Sequence, residues 1–419
     1  MNVPMLSIII PTHNRAEMLM KTLCALSKQS WPVSLFEVIV VADACEDHTH
    51  SVVARYAKQA PYQLHLMSHQ ARSAAATRNL GAKRAQGNVL LFLDDDVVPH
   101  TMLAQAHMEA QHARGIVLGY SKPVLPARAN WFQYDARRWW EDTFKSIAQP
   151  DHRFTYRDFF SGNLSMSAQL FWEVNGFDSS FTGRLEDYEL GLRMVKAGAR
   201  FRYAAAAIGD HYDSIDLKKW LQRIQQEGAA DIMMGQRHPE LRYALFGSFE
   251  SGHNWWRRQV RSIAFAAPQR GHKLERLLMR QAALYEWVHM RQRWRRTVNL
   301  LREYRYWRGV AWAIEGKRAM FAWLQEAPII PAVASDAPVI DFAALPADAE
   351  LTYMLELATH KGVRVLIDDC EVLTLAPQAG AEPLQLAHLK RAVRALAKQQ
   401  FIPALALQLC RAQELASIC

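Results

Sequence analysis

Asp94, Asp95 and Asp96 form an unbroken run of carboxylates directly after the apolar stretch Val89–Leu93, and Pro99 keeps the chain from running on as a strand. Adjacent carboxylates repel one another unless a cation sits among them. Hard cations such as Mg2+ and Mn2+ prefer carboxylate oxygen and bridge it to phosphate oxygen. A solvated acidic turn accommodates the same three residues without chemistry. A second acidic pair, Glu186 and Asp187, stands where an amphipathic run through Leu190, Met194 and Val195 begins. A helix dipole favours carboxylates there by about 0.3–1 kcal/mol, which is reason enough for their presence. Arg78 and His211 are further candidates: Arg78 as a phosphate partner or an exposed helix cation, His211 as a metal ligand or a structural histidine.

These side chains need a frame. Leu6–Ile10, Phe36–Val41, Tyr62–Met67 and Val89–Leu93 read as buried strands. Helical periodicity separates them, over residues 15–28, around Val52–Ala57 and over Ser73–Ala85. That alternation predicts βαβ units and a largely parallel sheet. Ligands in such sheets bind beyond the carboxyl ends of the strands, which directs attention to Pro11–Arg15, Asp43–Thr49 and Asp94–Asp96. Residues 115–215 read as mixed strands and loops with one helix at about 187–197. Asp216 is suited to cap a helix through Trp220, Leu221 and Ile224.

Composition sets outer bounds. The 419 residues suit two or three domains, half are hydrophobic, and the formal net charge of +9 calls for an anionic partner without selecting one. The five cysteines, Cys24, Cys45, Cys370, Cys410 and Cys419, are scattered and odd in number. They suggest neither a disulfide framework nor a zinc site, and a reducing cytoplasm is expected. No signal peptide and no membrane span is expected from the apolar runs.

The chain resembles the family 2 glycosyltransferases. Leu93–Asp96 is similar to their Asp-x-Asp metal motif. Ser7-Ile8-Ile9-Ile10-Pro11-Thr12-His13-Asn14-Arg15 resembles the opening strand and turn, and Val40–Thr49 the second-strand motif. Ala76-Thr77-Arg78-Asn79-Leu80-Gly81 resembles the helix before the metal motif. Phe160–Met166, Phe171–Asp178 and Gly183–Arg193 resemble the acceptor-side block ending in a Glu-Asp pair. Together these cover about residues 5–215. Ala42 departs from the pattern, standing where many members have the first Asp of a pair.

The resemblance implies a GT-A type fold, a Rossmann-like mostly parallel sheet flanked by helices. It implies an inverting transfer from a nucleotide sugar with Asp187 as general base and Glu186 orienting the acceptor. Asp43 would bond the base of the nucleotide, which favours a uridine. Pro11, Thr12, Asn14, Arg15, Arg78, Asp94 and Asp95 would complete the nucleotide site. Asp96, with Asp94 and His211, would hold Mn2+ or Mg2+, and Gly162 and Asn163 would serve the acceptor.

The implied organisation is a catalytic domain at 1–215, a mainly helical Trp/Arg-rich extension at 216–326 and a small α/β segment at 327–419. Interleaved Trp and Arg, as in Arg293-Trp294-Arg295-Arg296 and Tyr304-Arg305-Tyr306-Trp307-Arg308, suit a helical bundle core. They also suit a peripheral contact with the inner face of a membrane. Nucleic acid is a weaker fit. Pro328, Pro331 and Pro338 mark a linker. In the last segment Val363–Ile367 and Ile402–Leu407 read as strands and Leu384–Ala397 as a helix, and Asp368 and Asp369 follow the first strand.

The Gln-x-x-Arg-Trp motif of processive synthases is missing; the nearest match, Gln292-Arg293-Trp294, has the wrong spacing. A non-processive enzyme of polysaccharide or cell-envelope biosynthesis is therefore expected, acting on a saccharide or lipid-linked hydroxyl. A non-catalytic nucleotide- or glycan-binding adaptor on the same fold is the alternative. A nucleotidyltransferase would need a glycine-rich loop after the first strand, and Pro11–Arg15 has no glycine.

Overall fold

The computed structural model describes residues 5–181, 183–213, 215–246, 255–266, 272–328, 333–367 and 370–400. They form two compact units. The first comprises residues up to 145 together with 156–327, and the second comprises 146–155 together with the chain from 328.

In the first unit, β1 (Leu6–Thr12), β2 (Phe36–Asp43), β3 (Gln63–His69) and β4 (Val89–Leu93) alternate with helices α1 (Ala16–Leu26), α2 (Thr49–Tyr56) and α3 (Ala74–Arg84). β1 and β2 are buried along almost their whole length, as strands covered on both faces must be. Leu19 and Leu23 of α1 and Val53 of α2 pack with Ile8, Ile10, Val38 and Val40 in one core. Then follow β5 (Val97–Pro99), α4 (Leu103–Ala110), β6 (Gly115–Pro123), α5 (Trp131–Ile147), β7 (Asn163–Ser167), α6 (Ala168–Glu173), α7 (Glu186–Lys196) and β8 (Arg200–His211).

The eight strands lie in the order β3-β2-β1-β4-β7-β6-β8-β5. The pairs among β1 to β4, and β6 with β8, are parallel. β7 runs antiparallel between β4 and β6, and β5 is antiparallel to β8. This is the mixed, mostly parallel GT-A type arrangement that the resemblance implied. Strand order reverses between β1 and β4, so a crevice opens at their carboxyl ends. Where loops were expected before residue 150, the chain instead forms α5, and the expected helix at 187–197 begins one residue earlier.

α8 (Leu217–Arg237) starts at Asp216, whose side chain accepts from the Lys219 N–H at 2.7 Å, as its sequence position predicts. After the short α9 (Arg242–Leu245) come α10 (Trp255–Ala266), α11 (His272–Trp287), α12 (Arg291–Ala313) and α13 (Lys317–Gln325). α12 is the centre of this bundle and packs on α8, α10 and α11. Trp294 and Trp307 are buried on it, whereas Trp255, Trp256 and Trp287 are exposed, so the Trp-rich stretch is both core and surface.

α8 and α12 cross at two glycines. A Cβ on Gly228 would strike the Tyr306 carbonyl oxygen, and one on Gly309 the Gln225 carbonyl oxygen. Gly309→Ala should cost about 3 kcal/mol, the upper end of the overpacking range because backbone must move. The ~1 kcal/mol gained in helix propensity offsets only part of that. Urea titration should show the lowered midpoint; an unchanged midpoint would mean that the helices are not this close.

The second unit holds β9 (Val339–Asp341), parallel to β10 (Val363–Ile367), which pairs antiparallel with β11 (Cys370–Leu375). α14 (Asp348–Lys361) and α15 (Leu386–Gln400) contribute Leu355, Ala358, Leu389 and Val393 to a core with Ile340, Val363 and Val365. Within this unit Phe154 and Glu382 pair through backbone, with Glu382 N–H donating to Phe154 O at 2.9 Å. β10 and α15 match two expected elements. Pro331, Asp368, Asp369 and the expected strand Ile402–Leu407 lie outside the described residues.

Candidate active site

A cleft of 1570 Å³ opens at the carboxyl ends of β1, β2 and β4. Small-ligand sites usually occupy about 300–1,000 Å³, so this one has room for more than one small ligand. The backbone is bent sharply at its floor. Asn14, Ala44 and Arg72, just after β1, β2 and β3, all have positive φ, at 53°, 49° and 51°. Such conformations are uncommon for non-glycine residues and collect at ligand sites.

Asp43 ends β2. It accepts hydrogen bonds from the Arg72 and Ser73 N–H groups and from Thr77 Oγ1, each at 2.9 Å. Burial works against its charge, but these bonds from Arg72, Thr77 and Ser73 hold the carboxyl below the usual carboxylate range. Asp43 is therefore a fixed anion beside the cleft, with lone pairs to spare for an N–H donor.

The three aspartates after β4 have different surroundings. Asp95 accepts from Thr12 Oγ1 at 2.7 Å and from Arg15 at 3.0 Å, across the crevice between β1 and β4. Burial pushes its carboxyl up to about 6 despite Arg15. Asp96 pairs with Arg15 at 2.6 Å, and its other oxygen lies 3.6 Å from His211 Nε2 at the end of β8. Burial also raises Asp96, with His211 and Arg15 opposing. Asp94, the most accessible of the three, lies against Gly162: a Cβ there would come within 2.6 Å of its carboxylate. Gly162 thus supplies space for Asp94.

Two ligands at right angles, about 2.1 Å from one Mg2+ or Mn2+, are about 3 Å apart. Asp96 and His211 come close to that spacing, and such ions commonly complete their shells with substrate phosphates and water. The donor set therefore fits the implied ion. Among the described residues no group of three His, Cys, Asp or Glu side chains surrounds a metal position.

α7 brings the second acidic pair into the same cleft. Leu185 before it has φ 68°, which turns the chain so that Glu186 and Asp187 open the helix. Burial raises the Asp187 carboxyl to about 7, and the neighbouring Glu186 charge adds to the shift. Arg78 on α3 reaches both acidic groups, bonding Asp94 at 2.9 Å and Glu186 at 3.1 Å with only 7% of its side chain exposed. The expectation placed Arg78 on a phosphate. In the structure its guanidinium, on the cleft wall, ties the triplet to the acidic pair, because two carboxylates in one recess need a counter-charge. Arg78→Met should cost about 1–3 kcal/mol, less than the penalty for stranding fully buried charges because Asp94 and Glu186 are only part-buried. A thermal or urea midpoint close to wild type would refute that role.

Pro11, Thr12, Asn14, Arg15, Asp43, Arg78, the triplet, Gly162, Glu186, Asp187 and His211 all line the cleft. Asn163 does not present its side chain there. It bonds His107 and the Ala207 carbonyl, both at 2.9 Å, inside the sheet. Antiparallel pairing with β4 turns alternate residues of β7 away from the cleft.

Sequence reasoning missed the far wall, where Arg184 and Tyr188 of the α7 region face Trp220, Arg223, Glu227 and Asp231 of α8 and Arg302 and Tyr306 of α12. Positions 220, 223, 227 and 231 follow helical spacing, the one signal that could have exposed a lining face. Arg223 makes no hydrogen bond or ion pair among the described residues. Burial and the nearby Arg184 charge lower its pKa.

The model for glycosyl transferase family 2 matches residues 7–174, and that for the N-terminal domain of galactosyltransferase matches residues 142–214. Residues 7–174 belong to glycosyl transferase family 2. The chain is 29% identical over 275 residues to validoxylamine A glucosyltransferase of Streptomyces hygroscopicus subsp. jinggangensis, covering 58% of the chain and 64% of that protein. It is 26% identical over 246 residues to the chondroitin synthase of Escherichia coli, covering 50% and 34%. It thus spans less than two thirds of the length of these curated relatives. Among solved structures, the mannosyltransferase PcManGT from Pyrobaculum calidifontis, in complex with GDP-Man and Mn2+, is similar at TM-score 0.43 and 21% identity, covering 55% of this chain and 64% of that one.

Proposed function

We propose that this family 2 protein transfers a sugar from a nucleotide donor, UDP-linked by preference, to a hydroxyl of a saccharide or lipid-linked acceptor, with inversion and without processive elongation. The observation that carries this reading is Asp187, a carboxyl raised to about 7 in the cleft that also holds the aspartate triplet. A base of that pKa is poised near neutral pH.

Asp187 takes the proton from the acceptor hydroxyl as its oxygen forms a bond to the anomeric carbon. The bond from that carbon to the diphosphate oxygen breaks, and the electron pair leaves with the nucleotide. One displacement inverts the anomeric centre. Glu186, held by Arg78, orients the acceptor, and Gly162 keeps Asp94 in place beside the donor. Asn163 contributes only backbone. Asp43, fixed by three donors, accepts from the imide N–H of uracil, while Pro11, Thr12, Asn14 and Arg15 border the nucleotide. Arg15 and Asp95 hold the phosphate end of the cleft in register. Mn2+ or Mg2+ held by Asp96 and His211, with Asp94 close by, would supply positive charge to the departing diphosphate.

Calorimetric titration with UDP and with GDP, each with and without Mn2+, tests this. Binding of UDP that needs Mn2+ is the expected result. Binding of neither nucleotide would overturn the donor assignment and favour an adaptor that carries glycans without transferring them.

A further inference from the structure

α10 and α11 carry apolar side chains on their outer surfaces. Trp255, Trp256 and Ile263 on α10 and Leu277, Leu284 and Trp287 on α11 are all exposed, Trp287 to 78%. On α11 the exposed positions share one helical face: Leu277, Leu284 and Trp287 alternate with the exposed Lys273, Arg276 and Arg280. The opposite face is used for folding, since Leu278 packs with Leu301 and Ala282 with Trp294 of α12. The outer residues are therefore not needed for the bundle core.

Charge is concentrated in the same stretch of the chain. Residues 255–296 contain eleven Lys and Arg against two acids, Glu275 and Glu286, a surplus equal to the +9 of the whole chain. Glu275 turns inward onto Arg305 and Arg308, and Glu286 lies off the helical face that carries Leu277, Leu284 and Trp287. The rest of the chain is neutral on balance; of the eleven cations Arg291 and Arg295 pair with Asp135 and Arg257 with Glu303, while Arg258, Lys273, Arg276 and Arg280 are exposed on α10 and α11.

We propose that the outer face of α11 docks on an anionic lipid surface, with Leu277, Leu284 and Trp287 at the level of the headgroups and Lys273, Arg276 and Arg280 against lipid phosphates. Aliphatic and Trp side chains beside Lys and Arg are what an interfacial helix needs. Single-stranded nucleic acid is a poorer match, because leucines offer no stacking surface. A second copy of this chain would bring one strongly positive face against another. Among the described residues no helix is long and apolar enough to cross a membrane, so the contact is peripheral. Lipid binding is read without donor or acceptor, and its failure would leave the transfer reading untouched.

The test is co-flotation of the full chain with vesicles of phosphatidylcholine alone, or with about a third phosphatidylglycerol, at low and at high salt. The protein should float with the anionic vesicles at low salt and stay behind with the neutral ones. Lys273→Glu/Arg280→Glu should weaken that binding on the order of tenfold or more, and Leu284→Glu/Trp287→Glu should weaken it comparably. Thermal midpoints of both variants should match wild type, as expected of exposed sites. No flotation at low salt would overturn the proposal. So would flotation that neither folded double variant reduces, RNA binding in place of vesicle binding, or a dimer in sedimentation that Leu284→Glu/Trp287→Glu dissolves while vesicles remain unbound.

Discussion

Asp187→Asn should lower turnover by roughly 10²–10⁴-fold while leaving Mn2+-dependent nucleotide binding in place, the range expected for loss of a positioned general base. Asparagine keeps the shape and cannot take the proton. In the proposed arrangement the donor contacts lie elsewhere, on β1, β2 and the triplet, so affinity for the nucleotide should hold. The pH profile supplies a second readout. A general base works in its deprotonated form, and burial with the Glu186 charge raises Asp187 to about 7. The kcat/KM of the wild type should therefore climb as pH rises through about 7, level off above it, and fall as the carboxyl is protonated below it. The residual activity of Asp187→Asn should lack that limb. Near-wild-type turnover in the variant would remove Asp187 from the mechanism.

Asp96→Ala should abolish the Mn2+-dependent part of nucleotide binding and reduce turnover by about 10²–10³-fold, as expected when several kcal/mol of charge stabilisation at the leaving group are lost. Stability should change little, because Arg15 keeps its bond to Asp95 at 3.0 Å and a carboxyl whose charge burial disfavours is removed. His211→Ala should behave similarly but more mildly, since a single carboxylate remains. Retention of Mn2+-dependent UDP binding in Asp96→Ala, measured by calorimetry, would move the ion elsewhere in the cleft.

Much of the first domain was legible along the chain. β1, β2 and β4 are continuous apolar runs, and the helices between them show their own period. In a sheet buried on both faces that contrast is sharp. The same regularity placed Asp43 and the aspartate triplet at strand ends, where the crevice opens. Asp216 was legible as a cap because capping depends on residues only three apart. α5 was overlooked although Phe132, Phe144 and Ile147 follow helical spacing and form its buried face.

Sequence by itself thus determined the alternating frame, the acidic residues available for chemistry and the family to which they belong. Tertiary structure alone decided what each residue is beside. It set β7 antiparallel between β4 and β6, which turned the Asn163 side chain into the sheet and left Gly162 against Asp94. It put Arg78 between Asp94 and Glu186, residues far apart in the chain. It also closed the cleft with α8 and α12, whose Arg223 and Tyr306 no strand motif announced. The physical reason is one of range. Periodicity and capping act over a few residues, whereas desolvation and ion pairing sum over every group that folding brings near, so the raised pKa of Asp187 exists only once the cleft has formed.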